Sequence, residues 1–226
     1  MRPYVVVNVA MSADGKLSTR ERRQVKISGQ SDFARVDRLK AGCDAVMVGI
    51  GTVLADDPSL TVKADECRKL RRDRGENEHP VRIVIDSTAR IPSDASILHK
   101  GEGKRIVAVS ARADSQRVEN LKEHATVIVA GEGEVDLALL MEELGTMGIQ
   151  RVMVEGGGTI IAGLLAAGLV DEIYTFIGNI IIGGRDAPTL ADGPGFTREE
   201  DFSRLTLLEA KQMERGILLH WVVNNQ

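Results

Sequence analysis

Short apolar runs, separated by segments with helical spacing, dominate the first two thirds of the chain. The runs are rich in valine and isoleucine, as expected of strands that are buried on both faces of a parallel sheet. They are YVVVNVAM (4–11), DAVMVGIGTVL (44–54), VRIVIDS (81–87), KRIVAVS (104–110), ATVIVA (125–130) and RVMVE (151–155). Because helical segments alternate with them, the pattern predicts a mostly parallel sheet with helices on both faces.

Helices are predicted where apolar residues recur every three or four positions. The segments are 31–40, with Phe33, Val36 and Leu39 on one side, and then 116–124, 137–147 and 159–168. Two stretches are predicted to lack a helix. Residues 64–80 have almost no apolar periodicity and are expected to form an exposed, charged loop, and the 44–54 run is expected to enter a glycine-punctuated turn.

The last quarter of the chain changes character. Three strand-like segments, DEIYTFIGNIII (171–182), SRLTLLEAKQM (203–213) and GILLHWVVN (216–224), follow one another with only loops between them. This arrangement predicts antiparallel strands that close one edge of the sheet. The expected architecture is a single α/β domain over residues 1–226.

Composition narrows the class of function. The chain has 226 residues, 43% of them hydrophobic, and a net charge of −4, which gives no support to a nucleic-acid or anionic-membrane surface. No apolar stretch reaches the ~18 residues that a membrane-spanning helix needs, and the N-terminus has no signal-peptide pattern. The two cysteines, Cys43 and Cys67, make no disulfide framework, which favours the cytoplasm. The four histidines are scattered, so no metal site is expected.

The stretch VEGGGTII (154–161) places three glycines between a predicted strand and a predicted helix. Glycine lets the backbone approach a ligand closely, and the free N–H groups of a first helical turn suit a diphosphate. Gly156, Gly157, Gly158 and Thr159 are therefore candidate cofactor contacts. The alternative is a tight turn in which glycine serves conformation only, and neither the P-loop nor the strict dinucleotide pattern is present.

Glu155 stands directly before these glycines. A carboxylate beside a bound phosphate is unfavourable, so its side chain is expected to face N–H or O–H donors, such as those of a polyamino heterocycle. The alternative is a simple electrostatic preference for the N-terminus of the following helix.

Four motifs together resemble the riboflavin-pathway reductases. They are VNVAMSADGKLST, DAVMVGIGTVLADDPSLTV, RIVIDSTARIP and VMVEGGGTIIAGLLAAGLVDEIYTFIGNIIIGG, and the resemblance runs from about Tyr4 to Val222. The stand-alone archaeal and fungal enzymes are the nearer match, since no deaminase signature precedes these motifs. The resemblance implies a dihydrofolate-reductase-like fold, a homodimer and NADPH, with NADH as a possible substitute. The implied reaction reduces 2,5-diamino-6-(ribosylamino)pyrimidin-4(3H)-one 5′-phosphate to its ribitylamino counterpart.

The resemblance also implies site residues. The cofactor contacts of the family fall on Thr52, Asp56, Ser87 and Gly156–Thr159. Its substrate contacts fall on Glu155, on Leu60 and on the loop around Lys16. Lys40 and Lys63 stand where arginine is usual and are expected to meet the ribose phosphate, with the same charge but without the two-pronged guanidinium.

Hydride transfer depends on positioning more than on acid–base groups, which accounts for the lack of an obvious catalytic histidine or cysteine. Asn8 and Met11 are expected to line the pocket near the nicotinamide, with core packing as the alternative. Asp14 and Lys16 are the candidate proton donors.

Two further expectations concern neighbouring pairs. Asp56 should bind the cofactor while Asp57 shapes the turn, and Ser110 and Arg112 are placed to meet the 2′-phosphate of NADPH.

Two other enzyme functions and one non-enzymatic function remain open. The reductase could act on the deaminated pyrimidine, or the chain could be a dihydrofolate reductase, although its candidate pterin-binding acid, Glu155, lies unusually late. A nucleotide-binding module without turnover is the third alternative.

Overall fold

The computed structural model describes residues 1–224, and the chain falls into two compact units. Unit 1 comprises Met1–Pro3 and Asp37–Met153. Unit 2 comprises Tyr4–Val36 together with the described chain from Val154 onward. The last two residues of the predicted 1–226 domain, 225 and 226, lie outside the described residues.

Nine strands and seven α-helices are formed by the described residues. The strands are β1 (Tyr4–Met11), β2 (Ala45–Gly49), β3 (Val81–Ile85), β4 (Arg105–Val109), β5 (Thr126–Val129), β6 (Arg151–Val154), β7 (Glu172–Ile177), β8 (Arg204–Met213) and β9 (Gly216–Asn224). The helices are α1 (Gln30–Ala41), α2 (Ile50–Asp56), α3 (Asp65–Asp73), α4 (Ser96–His99), α5 (Ser115–Leu121), α6 (Leu137–Thr146) and α7 (Gly158–Ala166). A single 3-10 turn covers Glu199–Asp201.

The strands of unit 1 follow the order β5-β4-β3-β2-β6. The pairs β2–β3, β3–β4 and β4–β5 are parallel, and every residue of β2 is buried. The helices between them begin at side-chain caps where the sequence offers one. Asp114 accepts a hydrogen bond from an N–H in the first turn of α5, and Asp136 does the same for α6. The predicted buried parallel sheet is confirmed.

The strands of unit 2 follow the order β1-β7-β9-β8. β1 and β7 are parallel, whereas β7–β9 and β8–β9 are antiparallel, so the prediction of an antiparallel C-terminal part is confirmed. β8 is an edge strand, and nine of its ten residues are exposed. Helix α7 buries Ile161 and Leu164 as its apolar spacing predicts, and Leu169 is buried just after it.

Two sequence predictions of irregular structure are wrong. Residues 64–80 were expected to form an exposed loop, but α3 occupies most of the first half of this stretch and buries Cys67 and Arg71. The guanidinium of Arg71 donates to the carbonyls of Ala41, Cys43 and Asn77, so an arginine fills the place of an apolar side chain and leaves no apolar period to detect. The predicted glycine-punctuated turn after β2 is also wrong, because helix α2 begins at Ile50, directly after Gly49, the last residue of the strand.

Helix α1 lies where it was predicted, but it buries a different face. Phe33 is 52% exposed, whereas Asp32, Asp37 and Lys40 are buried. The buried carboxylates are satisfied by hydrogen bonds, since Asp32 accepts from Arg35 and Asp37 accepts from backbone N–H groups. Of the three apolar residues predicted to share one side of this helix, Phe33 is therefore outside the buried face.

No helix among residues 1–224 is long and apolar enough to cross a bilayer. The same described residues contain no group of three or more side chains that could hold a metal ion.

Candidate functional site

The glycine triplet forms the connection between β6 and α7. Gly156 and Gly157 have φ values of +132° and +86°, which side-chain-bearing residues rarely adopt. Gly158 is required for a different reason. A Cβ there would lie 2.5 Å from the backbone oxygen of Thr189 and 2.7 Å from a carboxylate oxygen of Asp192. Each glycine thus has a conformational or packing cause of its own, so the triplet alone does not prove a ligand site.

The same loop nevertheless keeps donors available at the start of α7. Gly157 is the N-cap residue and no side chain caps the helix. The nearby Asp192 carboxylate accepts instead from the backbone and hydroxyl of Thr189, with one bond of 2.6 Å to the hydroxyl. Thr159 is exposed and Glu155 is half-buried. The positive end of a helix favours an anionic group, and the Asp192 carboxylate already lies against Gly158 at this end of α7.

A hydrogen-bonded turn places Asp14 and Lys16 after β1. Ser12 N–H donates to the carbonyl of Lys16 and Gly15 N–H donates to the carbonyl of Ser12, each at 2.9 Å, as the Asp-Gly sequence predicts. Lys16 Nζ donates to the carbonyl of Ala187 at 3.3 Å. An ammonium group has three donors, so Lys16 keeps further capacity for a ligand.

The Asp14 carboxylate is surrounded by donors. Its oxygens accept from Ser12 Oγ at 2.6 Å, from Ile182 N at 3.0 Å and from Gly183 N at 2.7 Å. These bonds stabilise the ionised form, with the Ser12 hydroxyl as the largest cause, and lower the pKa of Asp14 to about 2. An acid that is ionised at neutral pH has no proton to give, so these contacts favour a positioning role for Asp14.

Asn8 lies within a polar network at the centre of β1. It is 7% exposed, and its side-chain oxygen accepts from Arg35 at 2.6 Å. Arg35 also pairs with Asp32, and its guanidinium lies 5.4 Å from the centre of the Tyr174 ring. The carboxamide oxygen of Asn8 is thus used to anchor α1. Met11, the last residue of the same strand, is half-buried.

The neighbouring carboxylates of Asp56 and Asp57 have different surroundings. Asp57 adopts a left-handed conformation and accepts from the backbone and the hydroxyl of Ser96 at 2.7 and 2.6 Å. These bonds lower the pKa of Asp57, whereas partial desolvation raises the pKa of Asp56 although this residue lies at the surface. Asp57 therefore shapes the turn at the end of α2, and a cofactor-binding role for Asp56 stays a prediction. Thr52 is half-buried one helical turn earlier.

Lys40 and Lys63 are brought together in unit 1. Lys63 Nζ donates to the hydroxyls of Ser59 and Thr61 at 2.8 and 2.7 Å. Burial lowers the pKa of Lys63, and the charge of Lys40, which is itself buried, lowers it further. Leu60, between the two hydroxyl residues, is buried and has a φ of +53°, an unusual value for a residue with a side chain. Two cations and two hydroxyls thus share one small region.

Ser87 and Ser110 bind each other after β3 and β4. Ser110 is 1% exposed, and its hydroxyl donates to the carbonyls of Ser87 and Gly133 at 2.8 and 3.1 Å. Ser87 Oγ accepts from Val135 N at 3.0 Å. The Ser110 hydroxyl is therefore committed to the protein, whereas Arg112 is exposed.

Several polar residues at these places were missed in the sequence. Asp37, Ser59 and Thr61 surround Lys63, and Thr189 and Asp192 pack against the start of α7. Ser59 and Thr61 lie within a motif that carries the family resemblance, whereas Asp37, Thr189 and Asp192 belong to no motif with a recognisable spacing. Only contacts made by the folded chain reveal them.

Comparison with known proteins defines the protein family to which the chain belongs. The family model of the RibD C-terminal domain matches residues 3–219, and the chain belongs to this family. The predicted family resemblance is thereby confirmed.

Particular relatives narrow the class further. The 2,5-diamino-6-ribosylamino-4(3H)-pyrimidinone 5′-phosphate reductase of Archaeoglobus fulgidus is 51% identical over 199 residues, which are 88% of this chain and 90% of that protein. The protein of the same name from Methanothermobacter thermautotrophicus is 44% identical over 223 residues, 99% of each chain.

Solved structures share the fold. Acinetobacter baumannii RibD, form 2, superposes with a TM-score of 0.80 at 26% identity, and the match covers 99% of this chain but 58% of that one. The Saccharomyces cerevisiae riboflavin biosynthesis reductase Rib7 matches with a TM-score of 0.71 at 22% identity over 90% of its chain, which shows the fold alone. The expected dihydrofolate-reductase-like α/β fold is confirmed by these reductase-domain neighbours.

Proposed function

We propose that the protein reduces 2,5-diamino-6-(ribosylamino)pyrimidin-4(3H)-one 5′-phosphate to the ribitylamino product, with NADPH as the hydride donor. The observation that carries this proposal is the 51% identity to a reductase named for this substrate, over 90% of that protein's length. The paired lysines and hydroxyls of unit 1 fit the phosphate group that the substrate carries.

Substrate-binding roles are proposed for residues of each unit separately. Lys40 and Lys63 hold the ribose phosphate, where each supplies a positive charge to a group of charge near −2. Leu60 has a φ of +53°, and this backbone conformation sets the turn that brings the hydroxyls of Ser59 and Thr61 to Lys63. Glu155 accepts hydrogen bonds from the amino groups of the pyrimidine, and Lys16 contacts the sugar phosphate. Asn8 supports this part of the site through its bond to Arg35.

Cofactor binding is assigned to Gly156–Thr159, with Thr52, Asp56 and Ser87 as further contacts. The uncapped first turn of α7 fits a pyrophosphate, because its N–H groups and the helix dipole favour an anion. The raised pKa of Asp56 reflects a partly dehydrated carboxyl group, which suits a hydrogen bond to a ribose hydroxyl. When bound, the nicotinamide supplies the hydride that reduces the sugar carbon.

The residues of this chain contribute orientation and a proton source. Hydride transfer requires the reacting carbons to be held within about 3–3.5 Å and water to be excluded. Of the two candidate proton donors, Asp14 is ionised at neutral pH because of its low pKa. Lys16 is therefore the donor we favour for the sugar oxygen, with its ammonium oriented by the carbonyl of Ala187.

We further propose that the enzyme is a cytoplasmic homodimer. β8 is an exposed edge strand that carries Leu205, Leu207 and Leu208, which are 41–56% exposed. An exposed apolar edge strand can pair with the same strand of another chain, and two-fold dimers are the commonest soluble assemblies. Free, buried Cys43 and Cys67 are compatible with a reducing compartment. The proposal treats residues 1–226 as one reductase domain.

A substrate comparison tests the activity. Loss of the reduced-nicotinamide absorbance is followed with the aminated ribosylamino pyrimidine phosphate, with its deaminated counterpart and with dihydrofolate, each with NADPH and with NADH. The proposal expects the largest kcat/KM for the aminated substrate with NADPH. Faster oxidation with the deaminated pyrimidine or with dihydrofolate would replace it by one of the other reductase functions, and no oxidation at all would indicate a binding module.

A further inference from the structure

A single arginine on α1 fixes one end of the Asn8 side chain. Arg35 Nη2 donates to the side-chain oxygen of Asn8 at 2.6 Å, and Arg35 Nε donates to Asp32 Oδ1 at 2.8 Å. A guanidinium has five donors and no acceptor, so the atom of the Asn8 amide that faces it must be the oxygen. The amide nitrogen of Asn8 is therefore the end that is left for another partner.

The Arg35 guanidinium is itself restrained by its surroundings. The Arg35 side chain is 14% exposed, and the Asp32 side chain with which it pairs is 3% exposed. Its Cζ lies 5.4 Å from the centre of the Tyr174 ring, and the His220 ring stacks on Tyr174 with 4.0 Å between the ring centres. A charge-assisted pair and a cation above an aromatic ring both restrict the guanidinium. The Asn8 amide is consequently held in one orientation.

The donor end of this amide has no partner in the protein. Asn8 is only 7% exposed, yet its amide nitrogen has no acceptor among residues 1–224 and is not one of the polar atoms that are sealed inside this part of the chain without a partner. A donor in a nearly buried position costs free energy unless a ligand or a water molecule accepts from it. Position 8 therefore offers a ligand N–H donors and no acceptor.

We propose that Arg35 is a positioning residue, which holds the Asn8 N–H toward the carbonyl oxygen at C4 of the pyrimidine substrate. This inference rests on the proposed function for the identity of the ring. The ring carries one carbonyl oxygen, which is an acceptor, and amino groups, which are donors. Asn8 donates to the oxygen, whereas the Glu155 carboxylate accepts from the amino groups. A site built in this way rejects rings whose donors and acceptors are exchanged.

Asn8→Asp tests the donor without removing the bond to Arg35. The new carboxylate still accepts from Arg35, but it has no N–H and repels a carbonyl oxygen. We expect the KM of the pyrimidine phosphate to rise about tenfold or more, with the KM of NADPH at the wild-type value. An unchanged KM for the pyrimidine would overturn the contact. A rise confined to NADPH would place the N–H against the nicotinamide carboxamide and would overturn it as well.

A double-mutant cycle tests whether Arg35 acts through Asn8. Arg35→Met removes the guanidinium and should raise the KM of the pyrimidine phosphate about three- to tenfold, which corresponds to one hydrogen bond. In the Asn8→Ala background the same change should have no further effect, because no amide remains to be oriented. Arg35→Lys, which keeps a positive charge beside Asp32, should recover part of the affinity. An equal rise of KM in both backgrounds would mean that Arg35 only stabilises α1.

Arg38→Met is the matched control for Arg35→Met. Arg38 lies on the same helix, is exposed and makes no hydrogen bond or ion pair within residues 1–224. The KM values of this variant for the pyrimidine phosphate and for NADPH should match those of the wild type. A rise as large as that of Arg35→Met would contradict a specific role for Arg35.

A binding measurement separates this inference from the proposed reaction. The probes are 2,5,6-triaminopyrimidin-4(3H)-one and 2,4,5,6-tetraaminopyrimidine, in which an amino group replaces the carbonyl at C4. Each is titrated into the protein and followed by ligand-observed NMR, which needs no turnover. We expect the wild type to prefer the carbonyl compound, and this preference to fall about three- to tenfold in Arg35→Met, because its Asn8 amide can turn its oxygen toward the ring.

The outcomes of this titration are distinct. If turnover fails while the difference between the wild type and Arg35→Met persists, the proposed reaction is wrong and the oriented amide stands. A wild type without a preference for the carbonyl compound would overturn the contact. A preference that Arg35→Met keeps in full would overturn the positioning role.

Discussion

One hydroxyl and two backbone amides that are distant in sequence lower the pKa of the Asp14 carboxyl group. The amides belong to Ile182 and Gly183, which are 168 and 169 positions away in sequence. These donors stabilise the ionised form of the carboxylate, and through them Asp14 joins the turn after β1 to the 182–183 segment. At the residue scale, the role of an acid thus depends on which donors the fold brings to it.

The low pKa of Asp14 predicts a pH-dependent stability difference. A carboxylate whose folded pKa is lowered from 3.8 to about 2 contributes stability that is present above the unfolded pKa and lost as the pH falls through the folded pKa. The free energy of unfolding of wild type and Asp14→Asn should therefore differ by a constant amount above about pH 5 and converge between about pH 4 and pH 2. Denaturant titrations over this range check it, with the exposed Asp94→Asn as control. A difference that persists unchanged to pH 2 would contradict the stated contacts.

Glu155 is predicted to recognise the pyrimidine and not the cofactor. Glu155→Gln replaces an ionised acceptor by a neutral amide, so the KM of the substrate should rise about tenfold or more, because hydrogen bonds to charged groups contribute about 1.5–3 kcal/mol. The dissociation constant of NADPH should remain at the wild-type value. Glu142→Gln, at an exposed position on α6, serves as control. Equal losses for substrate and cofactor would mean that Glu155 organises the glycine loop.

At the scale of elements, the start of α7 depends on its contact with residues 189–192. Gly158→Ala places a Cβ 2.5 Å from the backbone oxygen of Thr189, so the loop or the helix must shift. We expect the free energy of unfolding to fall by about 1–3 kcal/mol, which is typical of overpacking. Gly51→Ala in α2, where nothing lies within 4 Å, should instead raise it by about 0.5–1 kcal/mol. Chemical denaturation of both variants measures the contrast, and equal effects would remove the close-contact explanation.

Most elements that bury apolar side chains were predictable, but the short helices α2 and α4, which bury Ile50, Val53, Ile97 and Leu98, were not. Elements that bury polar side chains were harder to predict. The strands and helices α5, α6 and α7 follow from runs and periods of apolar residues. Helix α3 was missed because it buries Arg71, and the buried face of α1 was misassigned because Asp37 and Lys40 are inside. Buried polar side chains are stabilised by hydrogen-bond partners elsewhere in the chain, and the local sequence pattern does not identify these partners.

The candidate site follows the same division. Family motifs led to Lys40 and Lys63, and the charge of Lys40 lowers the pKa of Lys63. The partners of Asn8 and Asp14 were not predictable, because Arg35 and the 182–183 amides reach them only through tertiary packing. The glycine triplet was correctly placed between a strand and a helix, yet the contact that Gly158 makes with Thr189 could not be read from its spacing.

For the whole molecule, the exposed edge strand predicts the oligomeric state. If two copies cover each other's β8, a charge in the centre of the strand should separate them. Leu207→Glu, at a residue that is 47% exposed, is expected to lower the solution mass from dimer to monomer, as measured by light scattering. Leu70→Glu, on a 57% exposed leucine of α3, should leave the mass unchanged. A wild-type protein that is a monomer would contradict the proposed dimer. A dimer that persists in Leu207→Glu would mean that its interface is not formed by β8.

The transfer of hydride to the sugar carbon is the claim on which the account depends. The enzyme is given the aminated ribosylamino pyrimidine phosphate with NADPH that carries deuterium on one or the other face of nicotinamide C4. One of the two labelled cofactors should yield a ribitylamino product that is heavier by one mass unit, with the deuterium on C1′. A product without deuterium from either cofactor, or no ribitylamino product at all, would contradict the account.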